Sequence, residues 1–265
     1  GWDYLGEAGL GVPGYEFGEG GFGARFPCQL AYCGDFDITG FRRPLSYFHQ
    51  LIYGLTATPH IAVQRPDKFG VPLMKTPWIL SDSVSSWTYP GLEGRPVMVE
   101  VYSAGDEVEL LCCGESLGRR PAGEAGGYLA LFETVYRPGT LEAVAYKDGA
   151  VLARTSLATA EGPFHLEAEA EPAGPEEGLI YIGITKRGAN GAVAAHADEV
   201  LSVTASENVR VLGFGSGDPW PQYGYTGTQT KTFNGRALLV VQKTAPAAPA
   251  AVTIASDTGA VTLSI

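Results

Sequence analysis

Apolar and polar residues alternate with a period of two along most of this chain, the signature of half-buried β-strands. Val97, Val99 and Val101 alternate with Met98, Glu100 and Tyr102. After the small, polar stretch Ser103–Asp106, Val108, Leu110 and Cys112 resume opposite Glu107, Glu109 and Leu111. The pattern predicts a β-hairpin within an antiparallel sandwich. Further strands are expected over Tyr128–Val135, Leu141–Tyr146 and Ala150–Thr155. Asp148-Gly149 joins the last two as a two-residue hairpin turn, because both residues tolerate positive φ. Short strands with turns every eight to twelve residues predict an immunoglobulin-like sandwich.

The same period returns after about residue 160. Phe164, Leu166, Ala168 and Ala170 alternate with His165, Glu167, Glu169 and Glu171, and Pro172 to Gly178 reads as a turn. Ile180, Ile182 and Ile184 form one strand face, and Leu201, Val203 and Ala205 another. NVRVLGFGSGDP and KTFNGRALLVVQ follow. Val252, Ile254, Val261, Leu263 and Ile265 alternate as two closing strands around Asp257-Thr258-Gly259. A second sandwich is expected here. Only Pro44–Tyr53 has helical spacing, with Leu45, Phe48, Leu51 and Ile52 on one face, Pro44 suited to the first turn and Gly54 to the stop. The glycine-rich coil before it offers no core for that helix, so residues 1–57 stand apart.

Composition narrows the classes. With 45% hydrophobic and 18% charged residues the chain of 265 is that of a folded protein, and 36 glycines and 18 prolines suit many turns. No apolar run approaches the ~20 residues of a membrane span. A net charge of −11 and pI near 4.8 argue against nucleic acid and anionic membranes as partners. Gly1 is not an initiator and no basic leader follows it, so the chain reads as a piece of a longer polypeptide. Cys28, Cys33, Cys112 and Cys113 are too few for an oxidised framework. His49, His60, His165 and His196 are too scattered for a zinc site. Reduced thiols, a cytoplasmic protein, no metal and no cofactor are the expectation.

Several phrases resemble glycoside hydrolase family 2. VEVYSAGDEVELLCCGESLG is similar to a non-catalytic β-sandwich module of that family, with Gly114 to Gly118 as its Gly-x-Ser-Leu-Gly turn. Asp37, Gly40, Phe41, Arg43, Tyr47 and Phe48 match the final loop and helix of its catalytic barrel, and Trp2 to Glu7 resembles the last barrel strand. Leu212, Gly213, Gly215–Pro219 and Phe233–Leu238 match a C-terminal module. The resemblance implies a mainly β chain: residues 1–57 as the end of a (β/α)₈ barrel with one helix, then immunoglobulin-like sandwiches over 58–158 and 159–265.

Retaining glycosidases use two carboxyl groups ~5–5.5 Å apart. The family's two glutamate motifs lie upstream of the strand that Trp2–Glu7 resembles, and neither is in this sequence. No catalytic residue is therefore expected here. Glu7, Glu16, Glu19, Asp35 and Asp37 read as loop carboxylates. Trp2, Asp3 and Glu7 are candidates for facing substrate in an intact enzyme, since barrel sites open at the strand ends; the alternative for Trp2 is packing inside the barrel. Gly213–Pro219 has a Gly-x-Gly-x-Gly pattern but no following helix and no P-loop lysine, so a strand-to-strand loop is expected. Trp220, Tyr223 and Tyr225 after it are expected at an interface and not on a ligand. The partners implied are the chain's own catalytic barrel, a carbohydrate in the intact enzyme, and a homo-oligomer contact. A tandem carbohydrate-binding or adhesin-like module is the rival reading.

Overall fold

A computed structural model describes residues 34–70, 81, 83–172, 178–245 and 248–265. The chain forms two compact units, dividing between Thr159 and Ala160.

Among the described residues the first unit opens with a turn and the helix α1 (Pro44–Ile52). Pro44 fills the first helical position. At the far end Gly54, at φ +67°, donates to the Leu51 carbonyl and Leu55 donates to Gln50. That pair of bonds is a Schellman stop, which needs a left-handed residue at its centre. Two antiparallel sheets follow. β1 (His60–Val63), β2 (Pro96–Tyr102) and β5 (Leu129–Val135) make one, in the order β1-β2-β5. β3 (Glu107–Cys112), β4 (Glu115–Pro121), β6 (Thr140–Lys147) and β7 (Ala150–Ala158) make the other, in the order β4-β3-β6-β7. Between them lie Val97, Val99, Val101, Val108, Leu110, Phe132 and Leu141, with Trp87 and Tyr136 fully buried. Trp87 Nε1 donates to the Arg137 carbonyl at 2.9 Å, and the Tyr136 hydroxyl accepts from the Tyr89 amide at 3.0 Å. The polar tips of both rings are thereby satisfied inside the core.

The structure corrects two expectations here. β2 and β3 do not form a hairpin: β2 pairs with β1 and β5, and β3 with β4 and β6. Their valine faces meet across the core from opposite sheets, and alternation alone cannot tell that arrangement from a hairpin. Ser103–Asp106 is a crossover pressed against the second sheet. A methyl group added at Gly105 would stand 2.6 Å from the Tyr146 carbonyl oxygen. The Gly114–Gly118 phrase is not a turn either. The turn is Cys113-Gly114, at φ 53° and 81°, and Glu115 already belongs to β4. Asp148-Gly149, at φ 50° and 78°, makes the turn expected of it between β6 and β7.

The helix has more cover than its sequence suggests. Leu51 is buried together with Ala62 and Tyr102, with Phe48 and Leu129 packed around them. α1 thus lies on the outer face of the β1-β2-β5 sheet. Trp78 lies outside the described residues.

The second unit contains β8 (His165–Pro172), β9 (Leu179–Arg187), β10 (Val200–Ala205), β11 (Val209–Gly215), β12 (Gln229–Lys231), β13 (Arg236–Lys243), β14 (Ala251–Ser256) and β15 (Gly259–Ser264). The sheets run β11-β13-β9-β8 and β12-β10-β14-β15. Taking β8, β9, β10, β11, β13, β14 and β15 as strands A to G gives ABED facing CFG, the constant-type immunoglobulin arrangement, with β12 added beside C. Ile182, Ile184, Leu201, Phe214, Leu239, Val252 and Ile254 form its core. A bulge between Val211 and Gly213 shifts β11 by one residue, so Gly213 and Gly215 face outward while Phe214 points in.

Gly105→Ala should destabilise the first unit by about 1–3 kcal/mol, since the crossover must move off β6 to admit the methyl. Urea unfolding followed by Trp87 fluorescence would measure it; an unchanged midpoint would contradict the tight crossover.

Candidate functional site

The region singled out by its chemistry is the layer under α1. Arg42 places its guanidinium 3.9 Å above the Tyr47 ring. Tyr47 stacks on His60 at 3.7 Å and 4°. His60 lies 6.2 Å from Tyr102, and Phe48 meets Tyr102 edge-on at 5.4 Å. His60 Nε2 is 2.8 Å from the Ser85 hydroxyl. Beneath them Glu100, 4% exposed, accepts hydrogen bonds from Tyr102 (2.8 Å), Gln64 (2.8 Å) and Ser81 (2.7 Å). Burial, reinforced by Arg42, pulls the His60 pKa down to about 3, so the imidazole is neutral at physiological pH. Burial, and then Glu100, pushes the Tyr102 phenol well above its ordinary range. The layer holds a carboxylate with its acceptors engaged and a ring clamped on both faces. Such an arrangement packs one element against another through stacked rings and a satisfied carboxylate.

The neighbouring carboxylates are tied into the loop. Asp37 Oδ1 accepts from the amides of Thr39 and Phe41 and from the Thr39 hydroxyl, closing the turn before α1. Asp35 pairs with His49 Nδ1 at 2.9 Å. Phe36 and Ile38 before α1 are exposed, and Tyr53 and Leu55 after it keep 75% and 73% of their surface. Trp2, Asp3 and Glu7, with Glu16 and Glu19, lie outside the described residues.

In the second unit the Gly213–Tyr225 loop folds back on its own sheet. Phe214 donates its amide to the Tyr225 carbonyl at 2.7 Å, and the Tyr225 ring occupies the space a side chain at Gly215 would fill. Asp218 accepts from the Trp220 amide at 2.8 Å, and burial pushes its pKa up. Trp220, Tyr223 and Tyr225 are all half-buried. A strand, β12, follows the loop where a phosphate cradle would need a helix.

Sequence reasoning missed a buried polar cluster at one end of this unit. Lys186 Nζ lies 3.2 Å from Glu199, both side chains being nearly enclosed, and donates to the Ala197 carbonyl at 3.4 Å. Thr258 donates to the same carboxylate at 2.9 Å. His196 packs edge-on against Phe164, and burial together with Lys186 lowers its pKa. The signal was present: Lys186 falls on the inward face that Ile182 and Ile184 define. Among the described residues no three His, Cys, Asp or Glu side chains gather as a metal site.

Comparison with known proteins agrees with this architecture. The family described as glycoside hydrolase family 2 C-terminal domain 5 matches residues 167–261, and a domain of unknown function, DUF4982, matches 94–153. A Formosa agariphila protein that carries a beta-glucuronidase name is 34% identical over 169 residues, 63% of this chain and 13% of that protein. Beta-galactosidase BoGH2A of Bacteroides ovatus is 22% identical over 235 residues, 88% of this chain and 25% of its own length. The solved structure of a family 2 member from Bacteroides cellulosilyticus superposes with a TM-score of 0.78 at 27% identity, over 89% of this chain and 32% of that one. Residues 167–261 match a C-terminal domain of glycoside hydrolase family 2, and the chain is similar to the C-terminal region of that family's proteins. It spans 13% and 25% of the lengths of the two curated relatives.

The His60 pKa fixes a pH dependence. Its folded value, about 3, lies below the ordinary 6.5, so between these values the unfolded chain binds the proton and the folded one does not. This contribution is complete above pH 6.5 and is lost as pH falls toward 3, at up to about 1.4 kcal/mol per pH unit. Urea midpoints from pH 4 to 7 should therefore fall more steeply with acid in the native chain than in His60→Phe. Equal slopes would show that His60 is not held neutral.

Proposed function

We propose that this chain is the non-catalytic C-terminal part of an enzyme that hydrolyses O-glycosidic bonds, a β-galactosidase-like retaining glycosidase. Residues 1–57 end its catalytic barrel and two immunoglobulin-like sandwiches buttress it. The observation that carries this reading is the two-sided character of the α1 segment. Leu51, Phe48 and Tyr47 pack on the first sandwich at Ala62, Tyr102 and His60, while Phe36, Ile38, Ile52, Tyr53 and Leu55 are exposed. Five exposed large apolar side chains within one short segment suit a surface made for covering. The occupant is the rest of the barrel, whose end this segment resembles.

The relatives' names support a carbohydrate substrate for the whole enzyme, and a galactoside is the class we favour. Trp2, Asp3 and Glu7 are assigned to the substrate side of the complete barrel. Trp220, Tyr223 and Tyr225 are assigned to an interface. Free Cys112 and Cys113 suit a reducing compartment.

The chain alone should give no turnover of nitrophenyl β-galactoside or β-glucuronide. Tyr53→Ser combined with Leu55→Ser should change its own stability by no more than about 0.5 kcal/mol. In a polypeptide extended N-terminally by its barrel, the same pair should lower the melting temperature by several degrees. Turnover by the chain, or equal melting of the extended forms, would refute the buttress reading.

A further inference from the structure

The turn joining β3 to β4 brings two thiols together. Neighbouring residues on a strand point to opposite faces, so adjacent cysteines in an extended chain hold their sulfurs apart. Cys112 ends β3 with its side chain in the core, 1% exposed, while Cys113 is exposed and leaves the strand at φ 53°. That left-handed step turns the second side chain back toward the first, and the two sulfurs lie 4.0 Å apart. The surrounding backbone holds them there. The Cys113 amide donates to the Thr140 carbonyl at 2.7 Å, and Cys112 pairs in register with Glu115 on β4 and Leu141 on β6. The Cys113 sulfur stands 3.5 Å from the Pro138 carbonyl oxygen, over Gly139, where an added methyl group would come within 2.5 Å of it.

The gap between the sulfurs decides what they fit. A disulfide needs about 2.05 Å between its sulfurs and Cα atoms about 4.4–6.8 Å apart, whereas consecutive Cα atoms are held at about 3.8 Å. A centre bonded to both sulfurs at about 2.3 Å spans about 3.4–3.8 Å between them, for bond angles from pyramidal to tetrahedral. That span is close to the gap the turn already sets. Two sulfur donors select soft centres over the hard cations that take oxygen. Zinc wants four donors, and among the described residues no third His, Cys, Asp or Glu joins the pair. The centre that fits completes its shell with groups of its own. We infer that Cys112 and Cys113 form a two-sulfur clamp for a soft, thiophilic centre of the trivalent arsenical class. Binding is a condensation. The arsenic–oxygen bond of an arsenoxide breaks, two arsenic–sulfur bonds form, and both thiol protons leave with that oxygen as water, with no change of oxidation state. Burial, and then Cys113, raises the Cys112 pKa against the pull of Arg137, so this sulfur is held as a thiol and brings its proton to that water. The clamp belongs to the β3–β4 turn and is independent of the buttress role.

Phenylarsine oxide, added in one equivalent to the reduced 265-residue chain, tests it by mass spectrometry of the intact chain and its peptides. Cys28 and Cys33 are the chain's other thiols, so a Cys28→Ser/Cys33→Ser chain is the reference. We expect the reference to take up one phenylarsine group, with loss of one water, on the peptide that holds Cys112 and Cys113. Excess monothiol should leave the adduct in place and a dithiol should remove it, because only a second pair of sulfurs matches a two-point grip. Cys113→Ser, at an exposed position, should weaken uptake at least about a hundredfold. Because the fold already sets the sulfurs, the adduct should raise the melting temperature of the reference chain, and Cys113→Ser should show no such rise. No uptake by the reference chain, removal by monothiol, equal uptake by Cys113→Ser, or a melting temperature unchanged or lowered on binding would each overturn the assignment. Failure here leaves the apolar α1 surface and its extended-chain test untouched.

Discussion

Glu100 is the residue on which the first unit's organisation turns. Its carboxylate sits under α1 with 4% exposure and is tolerated there only because Tyr102, Gln64 and Ser81 each donate to it. Leaving a buried acceptor without its donors costs about 1–3 kcal/mol. That penalty sets the geometry of three separate stretches: the strand end at Tyr102, the residue after β1, and the segment at Ser81. α1 then closes over them, with Phe48 on Tyr102 and Tyr47 on His60. The helix rests on the sheet through ring stacking and apolar contact.

This explains what the sequence showed and what it hid. The alternation in Val97–Val101 and Val108–Cys112 revealed strands and the faces they bury, because period two is a property of the strand itself. It could not reveal their partners, since a crossover between sheets and a hairpin within one sheet bury the same residues. Glu100 and Tyr102 held the missing clue. β2 is covered on both faces, and its outward polar residues face a helix where a simple sandwich strand would face water. Asp148-Gly149 was legible because its turn chemistry is local, and Cys113-Gly114 adopts the same left-handed pair with a residue seldom seen there. β4 and β12 escaped notice: β4 is an exposed edge strand rich in arginine, and β12 has only three residues.

The candidate sites were legible to different degrees for the same reason. The Gly213–Tyr225 loop was recognisable as a loop, yet its folding back through Tyr225 onto Gly215 depends on the β11 bulge, which no local pattern announces. Lys186 illustrates the opposite case. Its inward register was readable, and a buried lysine demands a partner, which Glu199 supplies from the start of another strand. A charged residue on an apolar face is a sharper signal than an aromatic near a glycine.

The two sandwiches also treat their outward faces differently. On the β4-β3-β6-β7 face of the first unit the polar groups satisfy one another. Glu109 accepts from Ser116 and Tyr146 at 2.7 and 2.8 Å, Arg119 lies 3.9 Å over the Tyr146 ring, and Arg154 pairs with Glu142 at 3.0 Å. Such a ladder is complete in water and has little left to offer a ligand, since any newcomer must first displace bonds already made. Across β8 and β9 of the second unit, the ladder stops at Glu167–Arg187 and is replaced by Glu169, Gly183 and Tyr181. The difference lies in which side chains neighbouring strands set opposite one another on the outward face.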